Sequence, residues 1–467
     1  MDILSILLAT ALHFSSPVND NITLAGNFGE PRPHHFHGGI DVRTGMSVGK
    51  PIFAIADGYV SRVTVGLFGY GNALYITHPD GHSSVYCHLN GFAPAIRVKL
   101  SNYRKKHGQP DELAEWRKSP QVPADVYFKP YEIPVSGGQL VAISGNTGSS
   151  VAPHLHLEVH DTKGWAMRDP LTYLGKYLTD TTPPQAHSFM AYPQPGEGVF
   201  NGVSHQQYFG FVSHDLERDF YAWGKVGFGI WANDYMEGTF HHYGIQRTEL
   251  TIDGNTIFES IVDSIPASMN RQVNSWGDYL HWRHQNVWYM KSFVEPGCQL
   301  PLFSVGADRG IFDFNEERKY SVEYKLTDIF GNQSVSTFRV EGRRQPIPSA
   351  SAVNPRWTLK WDRVNNIQLP GIQITLGKNL LGNDVVLQPK VIRQPDGFSD
   401  AYCFASESLP IFDWAEIRIR LNRQPSDTSR ICVIGGIHEY PATIKEGWAI
   451  AKIRDLGETY MVGYPAE

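Results

Sequence analysis

Cysteine is scarce in this chain of 467 residues: Cys87, Cys298, Cys403 and Cys432 are the whole complement. Four scattered thiols exclude a disulfide scaffold and a four-thiolate zinc site, leaving a Cys403–Cys432 bridge as the one pairing to consider. An excess of basic charge is lacking too. With 41 Lys and Arg against 47 Asp and Glu, a net charge of −6 excludes the concentrated positive face of a dedicated nucleic-acid binder. No apolar run beyond the N-terminus is long enough to span a bilayer. The N-terminal run Met1–Leu12 is short and ends in Ala9-Thr-Ala11, a small-x-small pattern similar to a signal-peptidase site, although Asp2 stands where a basic residue would be usual. Residues 1–20 are therefore expected to direct export to the periplasm or cell envelope. Strict repeats, low-complexity tracts and long helical patterns are also missing. What is present, 44 Gly, 30 Pro and many short alternating segments, predicts a mainly β chain of several domains.

Taken in order, a glycine-rich stretch leads to two expected hairpins. The first pairs Pro51–Ala56 with Tyr59–Val65 across Asp57-Gly58, and the second pairs Asn72–His78 with His82–His88 across Pro79-Asp-Gly81. Residues 90–135 interrupt the β pattern as an insertion. Pro110–Lys118, acidic at its start and basic at its end, predicts a short helix there, and Arg104-Lys-Lys106 reads as a solvated face. Proline clusters at Asp180-Thr-Thr-Pro-Pro184 and Arg343–Pro348 mark domain boundaries. They divide the chain into residues 21–180, a β-sandwich-like domain at 185–342 and a second β-rich domain at 350–467. In the middle domain Phe209, Trp223, Trp231 and Tyr235 are expected to fill a core rather than stack on sugars. Its Asp328-Ile-Phe-Gly-Asn332 is similar to the ending of the last strand in bacterial immunoglobulin-like modules.

Chemistry concentrates in the first domain. In His154-Leu-His-Leu-Glu-Val159 strict alternation places His154, His156 and Glu158 on one strand face and the aliphatic residues behind. His37-Gly-Gly-Ile-Asp41 sets an imidazole and a carboxylate in a segment able to bend both towards one point. Nitrogen and carboxylate oxygen suit Zn²⁺, and a hydrolytic site takes three protein ligands and keeps one position open. His37 and Asp41 supply two, and the residues alone leave open which of His154 and His156 adds the third. His88 closes the second hairpin in Tyr86-Cys-His-Leu89, with Tyr86 and His88 expected on one face.

His-x-Gly-Ile-Asp, Tyr-x-His-Leu and Gly-Asn-Thr-Gly-Ser-Ser-x-x-Pro-His-Leu-His-x-Glu, in that order, resemble the lysostaphin-type (LytM-like) zinc endopeptidases of bacterial cell walls. Asp57-Gly-Tyr-Val60, Gly69-Tyr-Gly-Asn72 and Gly137–Asn146 match the same family, so the resemblance covers about residues 21–173. It implies an antiparallel β-sheet peptidase domain with a helical insertion, followed here by two β-sandwich-like domains. It implies one Zn²⁺ held by His37, Asp41 and His156, with His154 as base and His88 as its oxyanion or water-orienting partner, roles that remain interchangeable. Tyr70, Asn72 and Asn146 are expected to bind substrate. Water activated at the zinc would attack the peptide cross-links of peptidoglycan, and the C-terminal β-domains would position the enzyme or meet an envelope partner. The alternative is a catalytically silent wall-binding or amidase-regulating protein. Ala152 departs from the family's glycine and would narrow a subsite. Of the other histidines, His34 and His35 are expected in loop or supporting roles and His78 and His82 at the surface. His241, His242, His281 and His284 are expected to be structural.

Overall fold

The computed structural model describes residues 13–108, 124–405 and 407–465; the N-terminal apolar run and the helix expected at Pro110–Lys118 lie outside the described residues. The first domain is built on an antiparallel sheet with the order Leu24–Gly26, Ile40–Arg43, His154–Asp161, His82–Cys87, Ala73–Thr77, Gly58–Val65 and Ala124–Tyr127. His154–Asp161 sits centrally because its apolar positions, Leu155, Leu157 and Val159, are fully buried with Ile40, Val42, Leu74, Ile76 and Tyr86. A three-stranded sheet of Pro51–Phe53, Leu140–Ile143 and Gly91–Phe92 contributes Ile52, Val141 and Phe92 to the same core.

The second expected hairpin forms, but the first does not. Pro51–Phe53 pairs with Leu140–Ile143, and Gly58–Val65 pairs with Ala73–Thr77. A two-residue hairpin turn needs positive φ, which neither Asp57 nor Gly58 adopts. Ala54, Ile55 and Ala56 are instead buried as the chain crosses between sheets, the Ile55 N–H donating to the Tyr86 hydroxyl at 2.8 Å. The insertion carries a helix that sequence reasoning missed, Pro94–His107. Pro94 at its first turn, four basic residues in its last and left-handed Gly108 at its end are proper start and stop signals. Only Ile96 and Leu100 are buried, so it lacks a clear apolar stripe. The insertion then returns to the main sheet through Ala124–Tyr127.

In the middle domain two long strands, Gln185–Phe200 and Asp215–Tyr235, run through one continuous sheet. Its core is a phenylalanine cluster of Phe189, Phe200, Phe220, Phe228, Phe314 and Phe338. Trp223, Trp231 and Tyr235, expected in that core, are half-buried. The last domain faces two five-stranded sheets across Ile367, Ile374, Ile417, Val433 and Tyr460. All four cysteines are free. Cys403 and Cys432 lie on strands flanking Thr459–Gly463 on opposite sides. Two strand spacings of about 4.8 Å each separate them, beyond the reach of a disulfide.

The first two domains share structure. Ala166–Arg168 pairs with Ser264–Pro266, and Phe28, Phe36 and Met167 pack with Val262, Ile265, Val273 and Trp276. A small hairpin of Pro31–Arg32 and His35–Phe36 is fastened to the middle domain where Phe36 N–H donates to Asn270 Oδ1 at 2.6 Å.

Candidate active site

The register of the central strands assembles the site. His156 lies opposite Asp41 on one side and Cys87 on the other, so these residues share the face turned away from the core. Gly39 permits the close approach, since a Cβ there would stand 2.1 Å from the Leu157 carbonyl oxygen. His37 follows the docked hairpin and turns inward. Its Nε2 lies 3.0 Å from Asp41 Oδ1 and 3.0 Å from His156 Nδ1, and His156 Nδ1 lies 2.8 Å from Asp41 Oδ1. All three residues are buried.

Each of these atoms is a lone-pair donor made so by a second contact. His37 Nδ1 is 2.5 Å from the Asn27 carbonyl oxygen, which fixes the proton on Nδ1 and frees Nε2. His156 Nε2 donates to Glu158 Oε1 at 2.9 Å, which frees Nδ1. Arg32 Nη2 donates to Asp41 Oδ2 at 2.9 Å and leaves Oδ1 facing the imidazoles. Three donors facing one another need a cation between them. Burial pushes the His156 pKa down, yet hydrogen bonds to Asp41 and Glu158 raise it to about 9, so without metal a proton takes that place. Two nitrogens and one oxygen are the chemistry of a hydrolytic Zn²⁺ site, and the residues fit the ion. Cys87 stays outside the set, as burial beside Glu158 keeps its thiol protonated.

A cleft of about 490 Å³ opens over these atoms. His154 and His88 line it, with ring centroids 4.9 Å apart. His154 Nδ1 donates to the Ala152 carbonyl at 2.7 Å and its Nε2 lies 3.4 Å from Asp41 Oδ1. His88 Nδ1 donates to the Thr147 carbonyl at 2.8 Å. Burial, then the charges of His156 and His154, push the His88 pKa down to about 4, so this ring is neutral at ordinary pH. The His88 ring thus presents an acceptor Nε2, while His154 turns its Nε2 towards Asp41. Tyr86 and His88 do not share a face as expected. Tyr86 points into the core, whereas His88 follows the strand's end with φ of 60°, a left-handed turn that redirects its ring to the cleft.

The three residues expected to bind substrate separate. Tyr70 lines the cleft, its hydroxyl donating to Glu158 at 2.8 Å. Asn72 is fully buried, its Nδ2 donating to the Leu89 carbonyl and its N–H to Thr147 Oγ1, so it shapes the loop from within. Asn146 is exposed, accepts a hydrogen bond from Ser150 and is not part of the cleft lining. His35 reaches the cleft, and His34 packs on Tyr279. His78, expected at the surface, is buried between the Asp57 carbonyl and Ser84. Sequence reasoning also missed Arg32, His160, which donates to Glu158 at 2.6 Å, and the rim residues His241 and Asn270 from the middle domain. Only His160 carried a local signal, since it continues the alternation of His154, His156 and Glu158.

Residues 35–104 match peptidase family M23, and residues 356–464 match the Zu5-like domain. An uncharacterized metalloprotease of Haemophilus influenzae is 32% identical over 146 residues, covering 31% of this chain and 22% of the relative. Lysostaphin of Staphylococcus staphylolyticus is 28% identical over 149 residues, covering 31% and 24% respectively. A DD-carboxypeptidase/endopeptidase of Neisseria meningitidis serogroup B is 30% identical over 123 residues, covering 26% and 19%. The matched stretch thus spans less than a quarter of each relative's length. The resemblance read from the motifs holds: the first domain is similar to the lysostaphin-type metallopeptidases, and β-rich units follow it.

Proposed function

We propose that this chain is a zinc-dependent endopeptidase that hydrolyses peptide cross-links of bacterial peptidoglycan in the periplasm or cell envelope. The observation that carries the reading is the convergence of His37 Nε2, Asp41 Oδ1 and His156 Nδ1 beneath a cleft lined by two further imidazoles. A Zn²⁺ ion held by these three residues would supply Lewis acidity to water and to the scissile carbonyl. The chain's own groups handle protons and position. His154 Nε2, nearest the donor set, accepts a proton from attacking water and returns it to the leaving amine. His88 Nε2 accepts a hydrogen bond that orients the water. Whichever ring takes the proton becomes a donor to the oxyanion that develops. Tyr70 holds Glu158, and through it His156. Its phenol is kept protonated because burial and the neighbouring carboxylate push its pKa well up.

The relatives include one whose name is a DD-carboxypeptidase/endopeptidase. Another is named a glycyl-glycine endopeptidase, so the names leave both bonds in play, and it is the layout of catalytic unit first and β-domains after that favours D-alanyl–diaminopimelate cross-links over glycyl bridges. Metal analysis and digestion of purified sacculi test the reading. His156→Ala is expected to lose both metal and cleavage, and His154→Ala to keep the metal while cleavage falls by about 10²–10⁴-fold. Mass spectrometry of released muropeptides identifies the bond. Stoichiometric metal in the wild type with no cleavage of any muropeptide would instead favour the silent regulator.

A further inference from the structure

We propose that Asp180, Asp234 and Asp328 form a Ca²⁺ site that locks the linker leaving the first domain to the middle domain. None of the three lines the catalytic cleft. Asp180 lies in the proline-containing linker, Asp234 near the end of the strand Asp215–Tyr235, and Asp328 at the turn between Lys319–Thr327 and Gln333–Gly342. They are 6%, 1% and 2% exposed, so three carboxylates are withdrawn from water together. One oxygen from each lies within 4.8 Å of the others. Among the described residues, no Lys, Arg or His pairs with any of them. Burying like charges side by side without a counter-charge is strongly unfavourable.

The hydrogen bonds at the site leave it incomplete. Asp328 Oδ1 accepts the N–H groups of Phe330 and Asn332, and its Oδ2 accepts from Asn332 Nδ2. Asp180 Oδ1 accepts from Thr182 N–H. Asp180 Oδ2 and Asp234 Oδ1, however, are buried with no hydrogen-bond partner. Two orphaned carboxylate oxygens beside a third carboxylate point to a cation rather than to a network.

The donors are oxygen only, which selects a hard ion. Ca²⁺ binds oxygen at 2.3–2.6 Å in a flexible shell whose ligands stand up to about 5 Å apart, and oxygens that lie within 4.8 Å of one another can share such a shell. Mg²⁺ demands a near-ideal octahedron and prefers to keep its waters, which suits it less to a buried set of carboxylates. Glu237, close beside Asp180, adds a carboxylate on the solvent side. The ion would fasten elements that already touch the first domain. Ile329 and Phe330 of the Asp328 turn pack on its core, and Tyr243 donates its hydroxyl hydrogen to the Leu24 carbonyl.

The test uses the full chain stripped with EGTA, as wild type, His156→Ala, Asp234→Asn and Asp180→Asn. Calorimetric titration with CaCl₂ is expected to give one Ca²⁺ per chain in wild type and His156→Ala, and Ca²⁺ is expected to raise the thermal midpoint of both. MgCl₂ at the same concentration should raise it less. Each aspartate variant should bind Ca²⁺ at least tenfold more weakly, with circular dichroism reporting whether it has folded. A wild type that binds no Ca²⁺ and whose midpoint ignores Ca²⁺ and EGTA alike would overturn the proposal. So would a Ca²⁺ effect lost in His156→Ala but kept in both folded aspartate variants, which would move the ion to the catalytic cleft.

Discussion

The Glu158 carboxylate is met by His156 at 2.9 Å, His160 at 2.6 Å and Tyr70 at 2.8 Å, and it is almost wholly buried. Burial alone would raise its pKa, but the hydrogen bonds from His156 and His160 hold it far below the usual carboxylate range. It therefore remains an anion whose role is to fix the His156 tautomer and strengthen Nδ1 as a donor. Glu158→Gln keeps the shape and removes the charge, and is expected to weaken metal binding about 10–100-fold. Competition against a chromophoric chelator measures this, and an unchanged affinity would mean that the strand alone orients His156. At this scale much was legible in the sequence. The alternation His154-Leu-His-Leu-Glu put three polar side chains on one face, and the structure keeps them there. His88 was legible as a residue but not in its direction, because its left-handed backbone breaks the alternation that would have paired it with Tyr86. Asn72 and Asn146 misled because a polar residue in a glycine-rich turn has the same appearance whether it faces a ligand or the loop's own backbone.

Among elements, the hairpin of Pro31–Arg32 and His35–Phe36 carries the site into contact with the middle domain. At its turn His34 N–H donates to Asn274 Oδ1, and its ring packs on Tyr279 with centroids 5.2 Å apart. Burial, followed by the charge of Arg271, lowers the His34 pKa to about 4. Its folded value is thus below its unfolded value of about 6.5, so the unfolded chain takes the proton first as pH falls. The stability this neutral ring contributes is present above pH 6.5 and is lost as pH falls towards 4. Discounted for its partial exposure, the loss is about 1 kcal/mol. Denaturant unfolding at pH 7 and pH 4.5 should show His34→Gln losing less stability than the wild type over that interval. An identical loss would place the ring in solvent. Such elements explain where sequence reasoning ran out. A strand with one apolar and one polar face, such as His154–Asp161, announces itself by period two. Pro51–Phe53 does not, because its pairing partner, Leu140–Ile143, is almost ninety residues away and a nearer strand offers the same pattern. The helix Pro94–His107 was hidden for a related reason, having only two buried residues to mark its face.

Across the whole molecule, the apolar clusters define which parts stand or fall together. Met236 and Tyr243 of the middle domain belong to the core of the first, and Phe28, Phe36 and Met167 of the first are buried by Val262, Ile265 and Trp276 of the middle domain. Ala166–Arg168 and Ser264–Pro266 continue one sheet from domain to domain. Among the described residues the last domain shares no such cluster. Its core is its own, and its visible ties include two hydrogen bonds from Arg271 to the Ile411 and Arg454 carbonyls and one from Gly297 N–H to the Gly382 carbonyl. Shared apolar burial makes unfolding cooperative, whereas a few polar contacts leave neighbouring units able to melt separately. Scanning calorimetry is therefore expected to resolve two transitions, one for the first and middle domains together and one for residues 350–467. Ile265→Ala, which empties a fully buried position between the first two domains, should cost about 2–5 kcal/mol. It should lower the shared transition and leave the other in place. Separate melting of the first domain, unmoved by Ile265→Ala, would show that the cleft is complete without its neighbour, and that His241 and Asn270 only border it.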